Sequence, residues 1–182
     1  MAGLAVFLVG GVLFLQFLTG KKDLPQEAEH QHEAPAANMQ ALSQIEELEK
    51  KVAANPNDAS LLLQLANTLH ENRFYDKAIV YYSRYLEKNP KDADARVDLG
   101  ICYNDSGNKD EAVRQMKEVI KNNPKHALAH FNLGIVHLQA QDVSEANEWF
   151  QKTINIAPNT EVAERARRLI DQHSAPAQPN TN

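Results

Sequence analysis

Pro56, Pro90, Pro124 and Pro158 stand 34, 34 and 34 residues apart. The same step carries other columns: Ala59, Ala93 and Ala127; Leu65, Leu99 and Leu133; Ala66, Gly100 and Gly134; Ala78, Ala112 and Ala146. Aligning residues 91–124 with 125–158 leaves 10 identities, most of them small or apolar. Packing, rather than chemistry, dictates residues of that kind. A unit of this length repeated in register builds a solenoid, because one unit cannot bury its own apolar face and stacks on the next.

Within one unit the apolar residues recur at helical spacing, twice. Residues 91–124 carry Ala95, Leu99 and Tyr103, then Ala112, Met116, Val119 and Ile120, so each repeat is a pair of amphipathic helices, A and B. Gly107 stops helix A, and Asn108 with Glu111 three residues later has the form of a capping box opening helix B. Asp142 and Glu145 hold the same places one repeat on. Each proline lies just past a B helix, where it cannot continue the helix and turns the chain into the next repeat. Gly100 or Gly134 on helix A and Ala112 or Ala146 on helix B let paired backbones approach, with Tyr82, Met116 and Phe150 filling the space beside them.

These residues resemble the tetratricopeptide repeat, a 34-residue helix-turn-helix. The matching positions are Leu62, Leu65, Ala66, Leu69, Ala78, Tyr82 and Pro90 in the first repeat. The second has Arg96, Leu99, Gly100, Tyr103, Ala112, Met116 and Pro124; the third has His130, Leu133, Gly134, His137, Ala146, Phe150 and Pro158. Arg96, His130 and His137 depart from the pattern's aromatic or apolar choice. The resemblance covers residues 59–158 and implies an all-α solenoid of three repeats, 59–92, 93–126 and 127–160. Residues 39–54, with a stripe of Leu42, Ile45, Leu48 and Val52, read as an N-terminal cap helix. Residues 160–173, apolar along Val162, Ala166, Leu169 and Ile170 and polar elsewhere, read as a C-terminal cap.

The resemblance also implies that the A helices line a concave groove that binds a peptide or helix of a partner protein. The positions expected there are Leu63, Asn67 and His70; Asp94, Val97, Asp98, Ile101 and Asp105; and Leu128, Phe131, Asn132 and Ile135. The groove is thus expected to be apolar with an acidic band, suited to an apolar partner segment bearing basic residues. A groove that clamps a chaperone's C-terminal carboxylate needs lysine, arginine and asparagine. Here Leu63, Leu128 and Asn132 occupy the basic positions and Asp98 stands for an asparagine.

The first 20 residues, MAGLAVFLVGGVLFLQFLTG, contain no charge and precede Lys21 and Lys22. About 19 helical residues span roughly 28 Å, close to a bilayer's hydrocarbon thickness, so this stretch reads as one transmembrane helix. A cleaved signal peptide is the competing reading, weakened by the absence of a basic start and of a small-x-small site after the apolar run. The two lysines place the repeats on the cytoplasmic side. Residues 21–38, acidic and proline-containing, read as a solvated linker, and residues 174–182 as a disordered tail. IEELEKKVAANPNDASLLLQLANTL resembles the opening of repeat domains in cytochrome c maturation proteins, which would place the domain on the opposite side, in the periplasm, as an assembly factor or chaperone.

A net charge of −5 leaves no basic face to neutralise phosphates, which excludes nucleic-acid binding. Cys102, the single cysteine, has no disulfide partner and reads as a small core residue. His30 and His32 lie in the linker with nothing to fix a metal geometry, and His126, His130 and His137 share one helix in positions that favour packing over ligation. No nucleophile-base spacing, phosphate loop or metal-helix motif is present, so no enzyme, cofactor or metal is expected.

Overall fold

The computed structural model describes residues 39–174, which form eight helices. They are α1 (Met39–Ala54), α2 (Ala59–Glu71), α3 (Tyr75–Lys88), α4 (Ala93–Asp105), α5 (Lys109–Asn122), α6 (Ala127–Gln139), α7 (Val143–Ile156) and α8 (Glu161–Ser174). The expected membrane helix 1–20, the linker 21–38 and residues 175–182 of the tail lie outside the described residues. Among those described, no helix is long and apolar enough to cross a membrane.

Each helix packs on its neighbours in sequence, α1 on α2 through α7 on α8, and α4 also meets α6 while α6 meets α8. The pairs α2–α3, α4–α5 and α6–α7 are the three repeats. Each proline occupies the second position of a four-residue turn closed by one backbone bond. These run from Asp58 N to Asn55 O, Asp92 N to Asn89 O, His126 N to Asn123 O and Thr160 N to Ala157 O, at 3.0 to 3.2 Å. Proline's fixed φ suits that position, and its missing N–H is not needed there. The last residue of the turn then caps the next A helix: Asp58 accepts from Leu61 N at 3.1 Å and Asp92 from Ala95 N at 3.0 Å.

Helix A ends by a second repeated device. Gly107, with φ of 91°, donates to Asn104 O, and Asn108 N donates to Tyr103 O at 2.8 Å, the paired bonds of a Schellman motif. Arg73 and Gln141, at φ of 64° and 65°, make the equivalent bonds without being glycine. This corrects the expected capping boxes. Asn108 and Asp142 do accept from Glu111 N and Glu145 N, at 3.3 and 3.4 Å. Their own N–H groups are taken by Tyr103 and His137 carbonyls, and the Glu111 carboxylate turns instead to Arg114 and Gln115.

Tyr82, Met116 and Phe150 are buried, at 1, 0 and 0% exposure, each against its small partner column. A Cβ placed on Gly100 would meet Met116 Cε at 2.7 Å, and one on Gly134 would meet the Phe150 ring. Ile45, Leu48 and Val52 of α1 join the first repeat's core, whereas Leu42 stays 42% exposed. At the other end Ala163 and Ala166 of α8 are fully buried and Ala166 packs with Phe131, Ala146 and Phe150. Glu164, Arg165, Arg167 and Arg168 face outward.

Candidate functional site

The A-helix face is built by residues 34 apart, so α2, α4, α6 and α8 present matched columns. Of the twelve positions expected to line it, Asn67, Asp94, Asp105 and Leu128 are exposed. Leu63, His70, Asp98, Ile101, Asn132 and Ile135 are half-buried. Val97 and Phe131 are not available to a partner, at 0 and 3% exposure. Val97 is enclosed by Met116, Val119, Ala129 and Leu133 of the adjoining helices, and Phe131 by Phe150 and the start of α8. Burial at those two places comes from helix B of the same repeat together with the helix that follows it, which a single helix pattern does not display.

The remaining side chains divide into three zones. On α2, Asn67 Oδ1 accepts from the Tyr82 hydroxyl at 2.7 Å, and the His70 ring lies 6.1 Å from Tyr75 and 6.3 Å from Tyr82. On α4 the carboxylates gather. Asp94 reaches His126 Nε2 at 3.1 Å, and Asp105 accepts from Asn104 Nδ2 at 3.0 Å. Asp98 has no hydrogen bond or ion pair with any described residue. Burial raises its carboxyl above the ordinary aspartate value; the His70 charge opposes that rise, and Asp94 and Asp92 add to it. On α6 the face is apolar: Leu128 is 38% exposed, Ile135 half-buried, and Asn132 Nδ2 is tied to Leu128 O at 2.9 Å.

His126 therefore serves as a cap and an Asp94 partner. Its Nδ1 accepts from Ala129 N at 3.3 Å, which leaves Nε2 to carry the proton toward Asp94. His130 is buried, with Nδ1 3.0 Å from His126 O and its ring 5.7 Å from Trp149. His137 lies 3.5 Å from Asp142. Three histidines that seem close along one helix thus point to separate partners, and among the described residues no cluster of three His, Cys, Asp or Glu could hold a metal. Burial pushes the Cys102 thiol up to about 12, with Asp98 and Asp105 adding to the rise, so it stays protonated and unreactive.

One contributor was missed from sequence. Arg165, one repeat length after Phe131, lies over the Phe131 ring at 5.1 Å. The 34-residue column that joins Leu63, Val97 and Phe131 also leads to it; reading residues 160–173 only as a cap hid the connection.

No curated protein matches the chain. Among solved structures, the chain is similar to YrrB, described as a TPR protein with an unusual peptide-binding site. That match has 28% identity and a TM-score of 0.64, covering 71% of this chain and 67% of that one. It shares its fold with MamA from Desulfovibrio magneticus RS-1, at 19% identity and a TM-score of 0.62, over 68% of this chain and 70% of that one. It shares it also with the Yersinia enterocolitica type III secretion translocator chaperone SycD, at 18% identity and a TM-score of 0.60, over 64% and 91%. Two profiles described as tetratricopeptide repeat match residues 69–130 and 105–160, together half of the chain. With the 34-residue helix pairs, their proline turns and their small-large packing columns in place, the chain belongs to the tetratricopeptide-repeat family.

Proposed function

We propose that this protein is a membrane-anchored interaction scaffold that binds a segment of a partner protein on its A-helix face. The observation that carries the reading is the combination on that face of exposed Leu128 with half-buried Asp98, which among the described residues makes no hydrogen bond or ion pair and meets an opposite charge only at a distance, from His70. A carboxylate already stripped of part of its water and held beside apolar surface favours a cationic, apolar segment. YrrB, 28% identical, is described as having a peptide-binding site, which supports a peptide or helix as the ligand class. The apolar residues 1–20 would hold the domain at a bilayer, and tethering raises local concentration enough for a modest groove to suffice. The family profiles name no catalytic activity, in keeping with a binding role.

The test is affinity capture with the full-length protein against its Asp94→Lys/Asp98→Lys variant, both extracted from membranes. Partners retained by the native protein and lost by the variant are expected; retention of the same set by both would remove the acidic zone from binding. Carbonate extraction with and without residues 1–20 checks the anchor: full-length protein should stay in the membrane pellet and the shortened one should not.

A second reading follows from the resemblance of residues 45–69 to cytochrome c maturation proteins: an assembly factor on the periplasmic side. Trypsin added to cells stripped to the cytoplasmic membrane would then release a fragment of the repeat domain's size, and deletion would lower c-type cytochromes. Protection until lysis, with unchanged cytochromes, returns the domain to the cytoplasmic side.

A further inference from the structure

Resting on the groove reading above, we propose that the A-helix face reads its partner in a fixed charge register. A lysine or arginine sits against Asp98, apolar side chains lie over Leu128 and Ile135, and a carboxylate meets Arg165.

The face is polarised along the stack. Its α4 end carries Asp94, Asp98 and Asp105, while the one cation of α4, Arg96, is turned to Gln115 and the Pro90 carbonyl; its α6 middle is apolar, and α8 adds a cation. The three helices are contiguous, since α4 packs on α6 and α6 on α8. Among the described residues Arg165 has no carboxylate partner, although Glu161 and Glu164 share its helix. Its guanidinium carbon instead lies over the Phe131 ring, 5.1 Å from the centroid, and Phe131 is one of the two groove-column residues that the fold buries. A guanidinium attracted to a ring face keeps N–H donors that can receive a carboxylate in two parallel bonds. Asp98 is the complementary case, an acceptor held in place by its helix and lacking a donor. Asp98 is half-buried and Arg165 is drawn to the Phe131 ring, which lowers what is lost in fixing the two groups on binding.

The register has a length. Two steps between packed helices amount to roughly 16–20 Å. An extended segment rising about 3.3 Å per residue covers that in roughly six residues. A partner segment of the form cation, about five mainly apolar residues, anion would meet all three zones, whereas a segment with cations at both ends would face Arg165 with a like charge. The A helices of the repeats, with Leu63, Leu128 and Asn132 at the basic positions, offer a carboxylate no counter-charge. One carboxylate is accommodated, at the cap rather than in the repeats.

The experiment measures fluorescence anisotropy of blocked synthetic peptides bound to the full-length protein in detergent. The peptides carry one lysine, a leucine-rich spacer of roughly three to nine residues, and one glutamate. Native protein should bind best near the middle of that spacer range. Changing the peptide glutamate to glutamine should weaken binding roughly 3- to 10-fold, and changing its lysine to norleucine by a similar factor. With Arg165→Gln the glutamate should cease to matter, and with Asp98→Asn the lysine should. Arg165→Glu should prefer a peptide with lysine in place of the glutamate, a gain that a misfolded variant cannot show. Equal binding of glutamate and glutamine peptides by native protein, with dependence on Asp98 intact, overturns the register and leaves the groove standing. Binding that is indifferent to Asp98→Lys and Leu128→Lys as well, or no binding by any peptide, overturns the groove reading with it.

Discussion

Arg73, Gly107 and Gln141 hold one structural position in three repeats, a left-handed residue that lets helix A close its last carbonyls. Glycine takes that conformation freely, whereas a side chain with a Cβ is strained in it by about 1–2 kcal/mol. Arg73→Gly and Gln141→Gly should therefore each stabilise the protein by about 0.5–1 kcal/mol, once the extra freedom of glycine in the unfolded chain is subtracted. Urea denaturation reads the gain, and an unchanged or lower midpoint would show that the strain is relieved elsewhere. Asp98 tells a second story at this scale. Its folded value is raised above its unfolded one, so the stability linked to its proton is present at low pH and lost as pH rises through the folded value. At pH 7 Asp98→Asn should be more stable than the native protein, and the difference should close as pH falls to 3.5, below the ordinary aspartate value of about 3.9. A constant difference across that range would mean the carboxylate carries no such penalty. Gly107 announces its role in the sequence; Arg73 and Gln141 do not, because only the 34-residue column and the backbone angle reveal that they share its place.

The helices begin and end where local chemistry says they should. Asn-Pro turns and Asp58 or Asp92 caps act over three or four residues, so their effect is legible without any tertiary information. The capping boxes were only half legible, since the carbonyl that completes a Schellman motif competes with a glutamate for the same N–H and wins. The two terminal helices differ in kind. α8 lays Ala163 and Ala166 on the third repeat and turns charge outward, so its outer face is polar; α1 leaves Met39 and Leu42 at 80 and 42% exposure. Because Ala166 touches Phe131 and Phe150, Ala166→Asp should cost about 3 kcal/mol or more by burying an unpaired charge. Arg168→Asp, on the exposed side of the same helix, should change stability by less than about 0.5 kcal/mol. Thermal or urea unfolding of the two variants separates the faces, and equal effects would contradict the packing of α8.

In the described region most contacts are made between helices adjacent in sequence, while α4–α6, α6–α8 and the Lys77–Glu49 ion pair between α3 and α1 reach further. A stack of this kind is stabilised by each repeat and by its interfaces, and its ends have one neighbour instead of two. Amide hydrogen exchange should accordingly be slowest in α4, α5 and α6 and faster in α1 and α8. Uniform protection from α1 to α8 would show instead that the stack opens only as a whole.

The 34-residue period by itself determined the helix pairs, the turn positions, the small-large packing columns and the family, because each of these is dictated by interactions within one repeat or between identical surfaces. The face a partner would meet was decided only by the tertiary structure. Val97 and Phe131 occupy the same column as half-buried Leu63 and exposed Arg165 yet are covered, since the covering atoms belong to helix B of their own repeat and to the helix that follows, whose side chains differ from repeat to repeat. Arg165 joins the face, although its sequence reads as a solvating cap, because stacking brings α8 against α6. Likewise the lack of a hydrogen bond or ion pair to Asp98 among the described residues depends on what lies across from it, a relation between helices that no single stretch of sequence contains.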